Sequence, residues 1–248
     1  MIGVKYFFNK RAFSYDKYAS IQFKAGNYLI NRIVSNNNID RVLDIGSGTG
    51  RITDLVFKKF YPVRFDAIDI SPEMINIALT NRSSEVINYV CDDFIDFLFK
   101  TQADSYDLIF SNMALQWEAD KIKKVFRQCY KVLSINGELV FSIPLYGTFN
   151  ELFNDFNINK FYSLNRIKEL LIESGFSKVK NIESDYNLSF ESNITRLNSI
   201  KLTGANYVIG NKVNNFSKIK KLILEDRIVN KKCTLTYKIG YFKASKLR

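Results

Sequence analysis

Residues 43–50 read Leu-Asp-Ile-Gly-Ser-Gly-Thr-Gly, an apolar run carrying Asp44 that breaks into alternating glycines at Gly46, Gly48 and Gly50. A strand that ends in glycines can turn sharply and bring its backbone close to a ligand, and a helix starting there offers unpaired N–H groups. Asp69 closes a second apolar run, Phe65-Asp66-Ala67-Ile68-Asp69. At the end of the neighbouring strand, that carboxylate can accept hydrogen bonds from both hydroxyls of a ribose. The two features together describe a nucleotide pocket. A dinucleotide fingerprint would place its third glycine one residue later, where Arg51 stands.

Strand and helix alternate from about Arg41 to Ile143, which predicts a mostly parallel sheet with right-handed crossovers. Strands are expected at 41–45, 65–69, 86–90, 106–111 and 138–143. A last strand is expected at 234–244, where Leu235, Tyr237, Ile239 and Tyr241 alternate with polar or small residues. Ser71-Pro72 opens a helix, with a capping hydroxyl and a proline in the first turn. Ile122, Val125, Phe126, Cys129, Val132 and Leu133 form one stripe of a helix expected to end near Asn136-Gly137. Tyr18, Ile21, Ala25, Leu29 and Ile33 mark another amphipathic helix ahead of the sheet. The fifth and last strands are too far apart for two strands and a helix alone. The surplus at 147–162 and 191–231, rich in Asn, Lys and Phe, is expected to form helical lid elements over the strand ends. One domain, 1–248, is expected, with an N-terminal cap at 1–38 and a cofactor-binding core at 39–146.

A Gly-x-Gly-x-Gly loop with an acid two residues ahead of it resembles the S-adenosylmethionine site of the Rossmann-like methyltransferases. The resemblance implies an α/β fold: a seven-stranded sheet, mostly parallel with an antiparallel last strand, plus an N-terminal helix and helical lid insertions. In that reading Asp44 meets the ammonium group of S-adenosylmethionine, the Gly46–Gly50 amides meet its carboxylate, and Asp69, with Ile70 beside it, binds the ribose. Asp93-Phe94 follows the third strand, where an aspartate can bind the adenine amine while the next backbone N–H meets a ring nitrogen; Asp92 competes for that role. Ser111-Asn112-Met113-Ala114-Leu115-Gln116-Trp117 follows the fourth strand. Asn112 would border the methyl group, with Leu115 and Trp117 packed in the core.

Composition narrows the chemistry. A length of 248 residues suits one α/β domain carrying a lid, and 46% apolar content excludes general disorder. No apolar run approaches the roughly 20 residues that span a bilayer, and Met1 to Phe13 lacks the apolar core of a secretory signal. Cys91, Cys129 and Cys233 are odd in number and far apart, which favours a reduced cytoplasmic setting. The chain has no histidine, so Cys–His and Ser–His–Asp catalysis are excluded. The formal charge of +11 fits nucleic acid, an anionic surface or an acidic protein partner, and equally a Lys- and Asn-rich composition with dispersed charge.

Two transfer chemistries lose support. Enzymes that methylate amino groups of DNA or protein glutamine carry Asn-Pro-Pro-Tyr or a close variant where this chain has Ser-Asn-Met-Ala at 111–114. Carbon-methylating pyrimidine enzymes use a Pro-Cys pair, whereas Pro62, Pro72 and Pro144 precede Val63, Glu73 and Leu145. A carboxylate, with a pKa of about 4, needs no general base and fits the missing histidine best. Catalysis would then rest on aligning the oxygen and excluding water.

Beyond the glycine loop, the chain resembles the malonyl-[acyl-carrier protein] O-methyltransferases of biotin synthesis over nearly its whole length. The resemblance begins with Phe8-x-x-x-Ala12-x-x-Tyr15-Asp16 and Ile21-Gln22. It continues through Asp69-Ile70-Ser71-Pro72-x-Met74, Ser111-Asn112-x-Ala114-x-Gln116-Trp117 and Tyr146-Gly147-Thr148-Phe149-x-Glu151-Leu152. It ends with Ile200-Lys201-x-Thr203-Gly204-Ala205-Asn206 and Leu235-Thr236-Tyr237. Departures are Ser47 for the usual Cys, Asn136 before Gly137, and Asn198 where an Arg or His is usual, which removes one lid cation. The resemblance implies methylation of the free carboxylate of a malonyl thioester on acyl-carrier protein, or on coenzyme A. Tyr15 and Gln22 would close the N-terminal segment over the cofactor. Lys201, and after it Arg196, would pair with the malonyl carboxylate. Methylation of another small acid, or of RNA, and a non-catalytic cofactor-binding role stay open at this point; a membrane or metal is not implied.

Overall fold

The computed structural model describes residues 2–33, 39–82, 84–153, 156, 158–203 and 232–247. Its centre is a seven-stranded sheet of β1 (Arg41–Ile45), β2 (Arg64–Asp69), β3 (Ile87–Cys91), β4 (Tyr106–Asn112), β5 (Leu133–Pro144), β6 (Ser177–Phe190) and β7 (Cys233–Ser245), in the order β3-β2-β1-β4-β5-β7-β6. β1 to β5 pair in parallel, and β7 runs antiparallel to both of its neighbours. The sheet is the one expected, with its reversal at the last strand.

Parallel strands covered on both faces must be apolar almost throughout, and β1 is buried from Val42 to Ile45. Successive side chains alternate between faces. Val42 joins a core with Val56, Phe65 and Leu108, while Leu43 and Ile45 join another with Phe126, Leu98 and Phe141. Asp44 shares the face of Val42, toward α3 (Arg51–Phe60), and there accepts a hydrogen bond from Thr53 Oγ1 at 2.7 Å. The remaining crossovers are α4 (Pro72–Arg82), α5 (Phe94–Lys100), α6 (Ile122–Val132) and α7 (Leu164–Ile172). Because the chain leaves β3 at one edge and returns to β4 beside β1, the carboxyl ends of β1, β2 and β4 border the crevice where such sheets bind ligands.

Three local expectations change. The helix ahead of the sheet is two, α1 (Ile2–Tyr18) and α2 (Ser20–Tyr28), followed by a π-helical turn at Leu29–Ile33. Ala19, at ψ 39°, breaks the pair, so Ile21, Ala25 and Leu29 are buried while Tyr18 is exposed. Helix α6 stops at Val132, because Leu133 already pairs with Tyr106 and Asn136 turns at φ 67°. Residues 147–162 hold only a short 3₁₀ turn, Asn150–Leu152, among those described. Their backbone follows β7 instead: the N–H groups of Leu145 and Phe149 donate to Lys238 O and Thr236 O, both at 2.8 Å. From 191–231, helix α8 (Asn193–Leu202) is present, opened by a Ser192–Thr195 capping box, and residues 204–231 lie outside those described. Among the described residues, no helix is long and apolar enough to cross a membrane.

Candidate active site

The glycine loop between β1 and α3 turns on three left-handed residues, Gly46 (φ 75°), Gly48 (φ 56°) and Gly50 (φ 78°). Backbone N–H groups of Gly46 and Ser47 both donate to Ile68 O, at 2.8 and 3.0 Å, so the loop is sewn to the end of β2. A Cβ at Gly46 would lie 2.3 Å from that of Ala114, whereas one at Gly48 would meet nothing within 4 Å. Gly48 therefore faces a cradle that a ligand can fill. Ser47 Oγ is buried there without a hydrogen-bond partner.

Two acids flank the loop, Asp44 buried and Asp69 half-buried. Asp44 is 2% exposed, and burial pushes its carboxyl up to about 7, opposed by the Thr53 hydrogen bond and aided by the charge of Asp69. Burial likewise raises Asp69 to about 6, opposed by backbone donors of Ser71, Gly48 and Ile70. Asp69 Oδ2 accepts from Gly48 N at 2.9 Å and Oδ1 from Ser71 N at 2.8 Å. A cationic ligand favours the ionised form of both.

Helix α1 roofs this crevice and is tied down at both ends of it. Asp16 Oδ1 accepts from Thr49 Oγ1 at 2.7 Å on the glycine loop, and Asn9 Oδ1 accepts from Ser71 Oγ at 2.5 Å after β2. Three adjoining pockets lie beneath it. One is lined by Asp44, Gly46, Ser47, Gly48, Gln22 and Asn112. The second is lined by Asp69, Ile70, Asp92, Phe94, Met74 and Trp117. The third lies between Gln22, Gln116, Phe149, Asn159, Thr203 and Tyr237. Tyr15 lines all three. Burial, then the charges of Asp69 and Asp16 and the neighbouring Tyr237, raise its hydroxyl above the ordinary tyrosine value, so it stays a donor.

Most residues expected to bind cofactor line these pockets, but Gly50 instead packs closely against Tyr89 and Ala78, and Asp93 gives way to Asp92. Asp93 caps α5, its Oδ1 accepting from Ile95 N at 2.9 Å, and it is Asp92 that lines the pocket beside Phe94. Asn112 is fully engaged: its Nδ2 donates to Gln22 O at 2.9 Å and its Oδ1 accepts from Ser142 Oγ at 2.8 Å. It holds α2 against β4 and β5. Leu115 is core, as expected, but Trp117 is half-buried and walls two pockets, with Phe8 edge-on at 5.6 Å.

The two cations expected to hold a carboxylate are elsewhere. Lys201 is exposed on α8, and Arg196, 7% exposed, bolts α8 to β7 by donating to Thr234 O at 3.2 Å and Asn193 Oδ1 at 2.6 Å. Neither lines any of the three pockets. Among the described residues, the third pocket has no charged side chain in its lining; hydroxyls of Tyr15, Thr148, Thr203 and Tyr237 and the amides of Gln22, Gln116 and Asn159 supply its polarity. Met113 (φ 57°) and Phe149 (φ 62°) line it with left-handed backbone, strain of the kind found at working sites. Several of these residues sit in motifs the sequence displays, yet no spacing rule joins Phe8, Gln116, Phe149, Thr203 and Tyr237 in advance.

Comparison with known proteins agrees with this geometry. Residues 42–137 match the methyltransferase domain family. Malonyl-[acyl-carrier protein] O-methyltransferase 2 of Coxiella burnetii is 34% identical over 241 residues, covering 97% of this chain and 94% of its own. The malonyl-[acyl-carrier protein] O-methyltransferase of Bacillus anthracis is 33% identical over 216 residues, covering 80% and 78%. Among solved structures, phosphoethanolamine N-methyltransferase 2 of Haemonchus contortus in complex with S-adenosyl-L-methionine superposes with a TM-score of 0.64. It is 17% identical, covers 97% of this chain and 57% of its own, and so shares the fold.

Proposed function

Since the chain belongs to the malonyl-[acyl-carrier protein] O-methyltransferase family, we propose that it methylates the free carboxylate of a malonyl thioester in a pocket to which the described residues contribute no cation. The enzyme is an S-adenosylmethionine-dependent methyltransferase. When bound, the cofactor supplies a sulfonium methyl that a carboxylate oxygen takes in one displacement, giving a methyl ester with no proton to remove.

The chain's residues would hold the cofactor as follows. Asp44 receives the ammonium group and Ser47 Oγ the carboxylate, since the expected amide donors of Gly46, Gly48 and Gly50 are already bonded within the loop and to β2. Asp69 takes the ribose, and Asp92, in place of Asp93, the adenine amine. The unpartnered Ser47 hydroxyl and the open cradle at Gly48 support this fit. Tyr15 closes the three pockets from above and offers its hydroxyl as a donor, with Gln22 beside it.

The observation that carries the proposal is that the described residues lining the third pocket include no charged side chain. A lysine or arginine clamp would stabilise the carboxylate in its ground state and blunt its nucleophilicity. Hydroxyls orient the anion without neutralising it, and a dry, low-dielectric wall strengthens its attraction to a positive reacting centre. The malonyl carboxylate then has its countercharge only where the bond forms.

An acyl-carrier protein as the donor of the malonyl group is supported by charge. Tyr6, Lys10, Phe13 and Lys17 fall on one outward stripe of α1, spaced four, three and four residues apart, and all are exposed. That basic and aromatic stripe, on a chain of net charge +11, suits an acidic partner. Methylation would mask a charge that an apolar elongation site rejects, as the first step toward a pimeloyl chain for biotin. The test is to incubate the enzyme with labelled S-adenosylmethionine and malonyl-carrier protein and seek an alkali-labile methyl ester by mass spectrometry. Label on a nitrogen or carbon atom, with no ester on any malonyl thioester, would overturn the proposal.

A further inference from the structure

Two side-chain oxygens in the third pocket have no hydrogen-bond partner although both are buried: Gln116 Oε1 and Asn159 Oδ1. Gln116 is 7% exposed and lines the pocket, and its amide is held in place because Nε2 donates to Met113 O at 2.6 Å, which leaves Oε1 as the acceptor still to be satisfied. An unmade hydrogen bond at a buried acceptor costs on the order of its desolvation, so such an atom implies a donor that arrives from outside.

The donor's identity follows by elimination, resting on the carboxylate reading above. At neutral pH a malonyl thioester group carries a carboxylate and a thioester carbonyl, both acceptors, and no N–H or O–H. A carboxylate set against two carbonyl oxygens is repelled. The acids and glycines assigned to the cofactor line the other two pockets, and only Tyr15 and Gln22 of the cofactor side reach this one. What a malonyl thioester does bring is the arm bearing its sulfur, an N-acylated cysteamine extended by a second amide in pantetheine.

We propose that Gln116, with Asn159 as second acceptor, binds the amide N–H groups of this arm, so that the enzyme selects thioesters of an N-acylcysteamine rather than malonyl groups at large. Gln116 belongs to a 3₁₀ turn, Leu115–Lys121, that continues directly from the loop holding Asn112 and Met113. Fixing the arm there sets how far the malonyl carboxylate extends toward the glycine loop. Gln116 is a positioning residue in this account: it holds the arm, while the carboxylate reacts elsewhere. Phe8 and Trp117 make the wall beside it apolar, which strengthens a hydrogen bond shielded from water.

The test compares two malonyl thioesters, that of N-acetylcysteamine, which carries one amide N–H, and that of propanethiol, which carries none. Wild-type enzyme is expected to prefer the amide-bearing ester by about tenfold in kcat/KM, the value of one buried hydrogen bond. Gln116→Met is expected to collapse that ratio toward unity, with calorimetric affinity for S-adenosylhomocysteine serving as the check on folding. Asn159→Leu provides a second variant read the same way. An unchanged ratio in both variants overturns the arm assignment alone. A wild-type enzyme that esterifies neither compound overturns the carboxylate reading and the assignment with it. Malonyl-coenzyme A and malonyl-carrier protein share the arm, so the Gln116→Met loss should be equal on both; a loss confined to the carrier would place Gln116 at a protein contact and overturn it as well.

Discussion

Gly48 donates its backbone N–H to Asp69 Oδ2 at 2.9 Å, joining the glycine loop after β1 to the acid that ends β2. One carboxylate thus shapes the loop and, in the proposed site, binds ribose. Replacing Asp69 with alanine removes both at once. Two charge-assisted hydrogen bonds to a ligand are worth about 1.5–3 kcal/mol each, so Asp69→Ala is expected to lower S-adenosylmethionine affinity at least about a hundredfold by calorimetry. Affinity within a few fold of wild type would remove Asp69 from the ribose.

Both site acids titrate near neutrality, and the two consequences have opposite signs. Burial raises Asp44 to about 7 and Asp69 to about 6, above their unfolded values of about 4. The folded state therefore holds their protons more tightly, and the stability they contribute at low pH is lost as pH rises from about 4 to 7. A cationic cofactor instead selects their ionised forms, so its affinity should weaken roughly tenfold from pH 7.5 to 6 and more steeply below. Calorimetry in buffers of different ionisation enthalpy should detect protons released on binding at pH 6. Asp44→Asn should flatten that slope; a wild-type affinity independent of pH would contradict the assignment.

Tyr15 lines all three pockets, and its hydroxyl is held protonated by burial and by the charges of Asp69 and Asp16. As a donor that orients the carboxylate, it should matter to turnover more than to cofactor binding. Tyr15→Phe is expected to lower kcat by about ten- to a hundredfold, the range of one lost orienting donor, with cofactor affinity nearly unchanged. Since no base is needed, kcat at saturation should be level between pH 7.5 and 9. A rising limb with a pKa in that interval would show that a proton is being removed.

Lys201 shows why half the site was legible in the sequence and half was not. The cofactor side lies on consecutive strand ends, and a parallel sheet brings such ends together by rule, so Asp44, the glycines and Asp69 could be read in order. Of the two acids the sequence offered after the third strand, Asp92 lines the pocket, because the position just before a helix is claimed by capping, which took Asp93. The other side draws Phe8 from α1, Gln116 from the turn after β4, Phe149 from the segment after β5 and Tyr237 from β7. Their meeting depends on the reversal of β7, which no local pattern encodes. Within the Lys-x-Thr motif, two residues on a helix are about 200° apart, and it is Thr203, buried, that reaches the pocket while Lys201 faces solvent.

That geometry makes Lys201 a test of a pocket whose described lining includes no charged side chain. Lys201→Ala is expected to leave the KM for a malonyl thioester within about twofold, as for other surface charges. Introducing a cation where the carboxylate is proposed to sit, as in Thr203→Lys, is expected to lower kcat while tightening or sparing substrate binding. A large rise in KM for Lys201→Ala would return the lysine to the site and end the case for a cation-free pocket.

The glycine loop can also be tested through packing alone. Gly46 adopts φ 75°, where an L side chain costs about 1–2 kcal/mol, and a Cβ added there would sit 2.3 Å from the Cβ of Ala114. The two effects are separable. Gly46→Ala should destabilise the protein by about 2–4 kcal/mol through strain and clash together. Adding Ala114→Gly removes the colliding methyl but leaves the left-handed backbone, so the double variant should recover the clash and retain the conformational cost. Thermal unfolding of the four proteins gives both terms. Full recovery would mean that the backbone relaxes out of its left-handed turn, and the double variant should then have lost cofactor affinity, because the loop would no longer hold the open cradle at Gly48. Partial recovery with affinity retained is the outcome that the loop's attachment to Ile68 O requires, since those two hydrogen bonds hold the turn in place whichever small residue occupies it.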